Sequence, residues 1–319
     1  MNRKTIFMNR KTIRITSLIL LVLVLFTACG NKWPRTSQVF DVSKDSGYLT
    51  MRFFYLEDDK KSGDSMLLKS PDGKVMLIDS GLPECSSQLI NYLKKLKIKK
   101  IDYLVASHPH IDHIGGMPEV IKNFEIGKVY MSSLEYTSNT YKNFVNAVKD
   151  ANLETVYLKR GDTFKFGDQI DVTVINPEPD IVIPEGRDIT QDASFPNNRS
   201  VVMIMKYGDK KFMFTGDIYK EREYELVKMY GDELDCDFIK IPHHGAKTSS
   251  APSFVEHVSP DIAVITSNLF QDKNTYDRYR ENKAQVYATL ADRNILVKSD
   301  GKEITVITEK DRENNDYLN

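Results

Sequence analysis

Ser107-His108-Pro109-His110-Ile111-Asp112-His113-Ile114-Gly115-Gly116 decides how the rest of the chain is read. It gathers three of the chain's six histidines into six residues, directly after the short apolar run Asp102–Ala106. That run predicts a buried strand delivering the chain to a loop. Pro109 disfavours helix at His108 and keeps the approach extended. In an extended segment, positions i, i+2 and i+4 share a face, so His108, His110 and Asp112 are expected to converge, with His113 past the turn and reaching a neighbouring point. Imidazole nitrogens suit zinc, and a carboxylate suits zinc or a harder ion. Gly115-Gly116 is expected to turn the backbone sharply into the next helix. A structural zinc site is usually closed by four ligands, mostly sulfur. No cysteine lies in this cluster and more than four ligand candidates exist, so an open, catalytic site is expected. A second pair, His243-His244, ends another apolar run, Asp237–Ile241.

Outward from the cluster, short strands alternate with helices. Strands are predicted at Leu49–Leu56, at Ser65–Lys69 and Lys74–Asp79 across the turn Ser70-Pro71-Asp72-Gly73, and at Lys128–Met131 and Thr155–Leu158. Helices are predicted at Ser87–Leu96, Gly116–Phe124 and Tyr141–Ala151. The second half adds strands at Thr163–Phe166, Gln169–Ile175, Ser200–Tyr207, Lys211–Thr215, Asp237–Ile241 and Ile262–Thr266. Helices follow at Tyr219–Tyr230, Ala251–His257 and Tyr276–Ala291, and a closing hairpin spans Asp300-Gly301. Asn176 to Asn198 reads as a long loop, a kind usually functional or mobile. Two strand-rich stretches, each interleaved with helices, predict an α/β fold: an αββα sandwich of two packed mixed sheets with helices on the outer faces, in one domain over 49–308, followed by a polar tail, 309–319.

Composition agrees. The chain has 319 residues, 41% hydrophobic and 28% charged, which excludes disordered, collagen-like and coiled-coil chains. Three cysteines exclude a disulfide-stapled scaffold. Cys85 and Cys236 either pair or remain buried thiols. Residues 1–28 carry Arg3, Lys4, Arg10, Lys11 and Arg14 and no acid, so the remainder carries −6 against a total of −1. Such a body does not attract nucleic acid by bulk charge. Basic residues before the apolar run Ser17–Phe26 predict a secretory signal over 1–28. Phe26-Thr27-Ala28-Cys29 resembles the lipobox of bacterial lipoproteins. The resemblance implies cleavage before Cys29, a lipid on its thiol and an extracytoplasmic, lipid-anchored protein. An uncleaved anchor or plain secretion is the alternative. Residues 29–48, polar with Pro34, Ser37, Ser43, Ser46 and Gly47, are expected to be a tether.

The cluster 107–116 resembles the metal motif of metallo-β-lactamase-fold hydrolases. Leu77-Ile78-Asp79-Ser80-Gly81, Phe214-Thr215-Gly216-Asp217 and Pro242-His243-His244-Gly245 resemble that superfamily's remaining motifs, in order. The resemblance implies that Asp79 supports the metal loop without binding metal. It implies that His108, His110 and Asp217 hold one ion, and that Asp112, His113, Asp217 and one of His243 or His244 hold the other, the remaining histidine orienting a ligand or protonating the leaving group. No histidine stands between His113 and Asp217, where many members have one; Asn198 lies near that place. The first position therefore lacks a third imidazole. One or two zinc ions, or manganese, are the expected cofactors.

Asn197-Asn198-Arg199-Ser200 and Ile241–Ser250 (IPHHGAKTSS) resemble the extracellular hydrolase domain of the ComEC competence proteins, and Ile262–Asn274 that of teichoic acid phosphorylcholine esterase. Both imply phosphate esters as substrates, a nucleic acid strand or a phosphodiester of the cell wall or of choline, with a metal-activated hydroxide as nucleophile; Asn198, Lys247, Thr248 and Ser249 are candidate substrate contacts. The alternatives are a lactonase, thioesterase or β-lactamase activity, or a lipid-anchored binding module. No stretch marks a stable protein partner.

Overall fold

Period-two alternation sets the layers. In β1 (Leu49–Phe53), Leu49, Met51 and Phe53 enter one core cluster, while Arg52 reaches the opposite side, donating to the Val39 carbonyl at 2.7 Å and pairing with Asp45 at 2.9 Å. The computed structural model describes residues 38–58 and 63–310. The signal segment, Cys29 and residues 311–319 of the tail lie outside the described residues.

Fifteen strands among the described residues form two mixed sheets. The first contains β1, β2 (Met66–Lys69), β3 (Val75–Ile78), β4 (Lys100–Ala106), β5 (Glu125–Met131), β6 (Thr155–Tyr157), β14 (Ile295–Ser299) and β15 (Ile304–Thr308), in the order β15-β14-β1-β2-β3-β4-β5-β6. The second contains β7 (Thr163–Phe166), β8 (Ile170–Asn176), β9 (Val202–Tyr207), β10 (Lys210–Phe214), β11 (Phe238–Lys240), β12 (Ile262–Ile265) and β13 (Gln285–Ala288), in the order β13-β12-β11-β10-β9-β8-β7. β3 through β6 run parallel, as do β10 through β13. Phe53, Met76, Val105, Met203, Phe212, Phe238 and Val264 meet between the sheets. Helices Ser86–Lys95, Met117–Asn123 and Asn139–Asp150 cover the outer face of the first sheet. Lys220–Tyr230, Pro252–Val258 and Lys273–Glu281 cover that of the second. This is the expected αββα sandwich.

Four expectations need correction. Residues 38–48 are not a free tether: Val39 and Phe40 are buried in the first outer core, so the packed body starts before residue 49. The helix expected over Tyr276–Ala291 ends at Glu281. Lys283 turns at φ 70°, and Gln285–Ala288 becomes the edge strand β13, burying Val286 and Ala288 on alternate positions. The chain is extended only as far as His110; Ile111–Ile114 is a helical turn, so Asp112 and His113 leave it as neighbours rather than continuing an extended row. Gly115 and Gly116 have ordinary helical angles. Glycine is needed there because a Cβ would come within 2.4 Å of Pro83 Cδ at the first and 2.5 Å of the Ser80 carbonyl at the second. Of the two alternatives left open for Cys85 and Cys236, the structure has buried thiols: they are unpaired and lie in opposite outer layers.

Candidate metal centre

The site lies where loops leave the carboxyl ends of β3, β4, β10, β11 and β12, the usual edge for ligand sites in α/β sheets. Asp79 follows β3 and is fully buried. Its Oδ1 accepts from Ser107 N–H at 2.8 Å, and its Oδ2 accepts from Ser107 Oγ at 2.7 Å and lies 2.8 Å from His113 Nδ1. It thus holds the loop and orients His113, leaving Nε2 to face inward. Burial raises its pKa.

His113 Nε2 is 3.1 Å from Asp217 Oδ2, and His244 Nε2 is 3.2 Å from that oxygen and 3.3 Å from Asp112 Oδ2. One donor atom from each of Asp112, His113, Asp217 and His244 falls within 4.8 Å of the others, and all four residues are buried. His244 Nε2 makes no hydrogen bond despite its proximity to two carboxylates. An orphaned buried nitrogen beside two carboxylates fits a divalent cation, with ligand types suited to zinc or manganese. Gly216, at φ 51°, sits against Ser200, where a Cβ would come within 2.6 Å; the Asp217 N–H donates to Ser200 Oγ at 3.0 Å.

Electrostatics point the same way. Burial alone would lower His113, but Asp217, Asp79 and Asp112 carry it up to about 10. Burial likewise opposes protonation of His244, yet Asp217 and Asp64 raise it well above the ordinary range. Burial would raise Asp217, but His113, His244 and Lys240 hold it far below the usual carboxylate range. In the metal-free protein, imidazolium protons stand among the carboxylates where a cation would supply the charge.

His108 and His110 lie beside this group. His108 is buried with Nδ1 3.0 Å from Ser107 Oγ, its Nε2 is 3.1 Å from His110 Nδ1, and its ring lies 4.0 Å from that of His113. Burial lowers its pKa strongly. Neither imidazole belongs to the tight four-residue group among the described residues. The adjacent histidines separate cleanly. His244 joins the group; His243 stacks on Tyr219 at 4.8 Å, meets Thr248 Oγ1 through Nδ1 at 2.6 Å, and is lowered to about 4 by burial.

The expected substrate contacts divide. Lys247 is exposed and Thr248 orients His243. Ser249 is fully buried and donates to the Ile218 carbonyl at 2.7 Å, so it braces the loop rather than facing a ligand. Asn198 is likewise used by the scaffold: its Oδ1 accepts from Tyr219 N–H at 2.8 Å.

Two residues escaped the reading of the sequence. Asp64 lies 3.0 Å from His244 Nδ1, accepts from Thr266 Oγ1 at 2.5 Å and is paired with Lys240. Lys240, fully buried, also donates to the Gly216 carbonyl at 3.2 Å and stands 3.5 Å from Asp217 Oδ1. A lysine inside the apolar run Phe238–Ile241 was an available signal, since an unpaired ammonium is not buried. Asp64 had none: it closes the polar stretch Asp58–Asp64, where nothing distinguishes it from its neighbours.

The model of the metallo-beta-lactamase superfamily matches residues 58–266. The chain is 26% identical over 222 residues to ComE operon protein 3 of Bacillus subtilis, covering 64% of this chain and 27% of that protein. It is 26% identical over 210 residues to competence protein ComA of Neisseria gonorrhoeae, covering 66% and 26%. The chain thus spans about a quarter of the length of these curated relatives. Among solved structures, a mutant of the CmlA beta-hydroxylase superposes with a TM-score of 0.50 at 12% identity, covering 75% of this chain and 52% of that one, a likeness in fold alone. Every side chain of the buried site, from Asp64 to Thr266, falls inside the matched stretch, and the chain belongs to the metallo-beta-lactamase superfamily, with that superfamily's metal-dependent hydrolase fold.

Proposed function

We propose that this protein is a metal-dependent phosphoesterase acting outside the cytoplasm. The observation that carries the reading is the convergence of Asp112, His113, Asp217 and His244 around one buried point, with His108 and His110 alongside. Those four residues would hold zinc or manganese, and His108 and His110 would border the second position. A bound divalent ion supplies Lewis acidity and lowers the pKa of water from ~15.7 to about 7. The chain's own residues orient and exclude. Asp79 fixes His113, Asp64 and the Thr266 carbonyl fix His244, and Lys240 restrains the outer oxygen of Asp217. His243, neutral at pH 7 and engaged by Thr248 at Nδ1, has Nε2 available to accept a proton from substrate or water. Lys247, exposed on the following loop, can meet a phosphate oxygen.

Support for a phosphate ester over a lactone or lactam comes from two features: the absence of a histidine between His113 and Asp217, and the stretch Pro242–Ser250 that resembles phosphate-ester enzymes. Export and lipid attachment at Cys29 rest on the lipobox resemblance. Replacing Cys29 with serine is expected to abolish lipid labelling and release the protein from membranes. The activity test is turnover of bis-p-nitrophenyl phosphate by zinc- or manganese-loaded protein, set against a lactone and a β-lactam. His244→Ala should lose both bound metal and turnover, while His243→Ala should retain metal. A loaded protein that opens the lactam and leaves the diester intact refutes the reading.

A further inference from the structure

A cavity of about 330 Å³ adjoins the metal centre, and His244 forms part of its wall. That volume lies within the range of small-molecule sites. Gly245, Ile265, Leu269, Phe270 and Leu290 supply much of the remaining surface. Leu269 and Phe270 are each 44% exposed, an apolar pair left at the surface next to a polar centre.

Two polar side chains of the lining, Asp272 and Ser267, are bonded within their own segment, and Gln271 is exposed. The Asp272 carboxylate accepts from the Thr275 N–H and hydroxyl, both at 2.9 Å, capping the helix Lys273–Glu281. Ser267 Oγ donates to the Leu269 carbonyl. Among the described residues, the lining contains no lysine or arginine. A polyanionic strand tracks basic surface, and this wall offers none.

From this geometry we infer that the cavity receives an uncharged, apolar substituent of the phosphate ester, about the size of an aromatic ring, while the phosphate itself meets the metal centre. The inference rests on the phosphoesterase reading and narrows its substrate class, from any phosphate ester to one carrying a neutral apolar group. His244 makes the two sites one: its Nε2 faces Asp112 and Asp217, and its ring borders the cavity. A phosphoryl group held at the centre therefore has its substituent directed along an apolar wall, which desolvates the substituent and favours it over a small or charged one.

The test compares methylphosphonate with benzylphosphonate, which differ only in the substituent, by calorimetric binding to the metal-loaded protein. Benzylphosphonate is expected to bind on the order of 100-fold more tightly. Ala291→Trp fills the cavity and should bring the ratio to within about 3-fold while leaving methylphosphonate affinity unchanged. Phe270→Ala, at an exposed position, should lower benzylphosphonate affinity by roughly 5- to 10-fold and serves if the tryptophan variant fails to fold. Equal affinities for the two ligands, or no binding of either, overturn the inference. The two readings fail separately: diester turnover with equal phosphonate affinities removes the cavity assignment alone, and tight benzylphosphonate binding without diester turnover removes the phosphoesterase reading.

Discussion

Lys240→Met offers a demanding test of the site's construction. The ammonium is fully buried, paired with Asp64, 3.5 Å from Asp217 Oδ1 and 3.2 Å from the Gly216 carbonyl. Coulomb's law at an effective dielectric of about 20 gives roughly 5 kcal/mol of attraction to Asp217 at that separation. Removing one partner of a buried pair leaves the other charge uncompensated and costs about 3–5 kcal/mol. Here that charge is Asp64: burial would raise its carboxyl, but Lys240 and His244 hold it well below the ordinary range. For a domain of this size each kcal/mol moves Tm by roughly 2–4 °C, so the metal-free variant should melt roughly 6–20 °C below the wild type at pH 7. Asp64's depressed pKa also fixes the sign of the acid effect. Its stabilisation is present above its unfolded pKa of about 4 and lost as pH falls through the folded value, so the gap between the two proteins should shrink in acid. The double variant Lys240→Met/Asp64→Asn should recover much of the loss, because it leaves no unpaired charge at this position. A single variant that melts within about 2 °C of the wild type, or a double variant with no rescue, would show that Lys240 does not balance the carboxylates.

Three further outcomes are expected. Metal uptake should release protons at pH 7, because neighbouring carboxylates raise His113 to about 10 and shift His244 in the same direction, and both must be neutral to ligate, so affinity should fall as pH falls; calorimetry in buffers of different ionisation enthalpy measures this, and a buffer-independent heat contradicts it. Asp79→Asn places an amide N–H₂ where the carboxylate accepts from Ser107 and faces His113, and should weaken metal binding by about 10–100-fold in a chelator titration, with unchanged affinity counting against the orienting role. Gly116→Ala drives a methyl to within 2.5 Å of the Ser80 carbonyl and should cost about 1–3 kcal/mol in thermal unfolding, whereas a neutral result would mean that the β3 loop yields there.

Local chemistry made much of this legible. Short apolar runs bounded by turn residues marked fourteen of the fifteen strands among the described residues, because each strand buries its own side chains wherever it ends up. The exception, β13, is an edge strand of four residues beyond a helix, and its periodicity merges with that helix unless the left-handed break at Lys283 is known. Residues 38–48 read as a polar tether because the few apolar side chains, Val39, Phe40 and Val42, are too few to register in composition, yet they suffice to pack the segment onto the domain.

The sequence alone determined which side chains could serve at the centre: His108, His110, Asp112, His113, Asp217 and the 243–244 pair stand out by clustering, and ligand chemistry depends on residue type. Tertiary structure decided how they are used. Only the paths of separate loops select His244 over His243, turn Ser249 and Asn198 inward as braces, and bring Asp64 and Lys240 under the centre. The physical reason is that a charge deep in a protein persists only beside its counter-charge, and that partner is found by the packing of distant segments rather than by proximity along the chain.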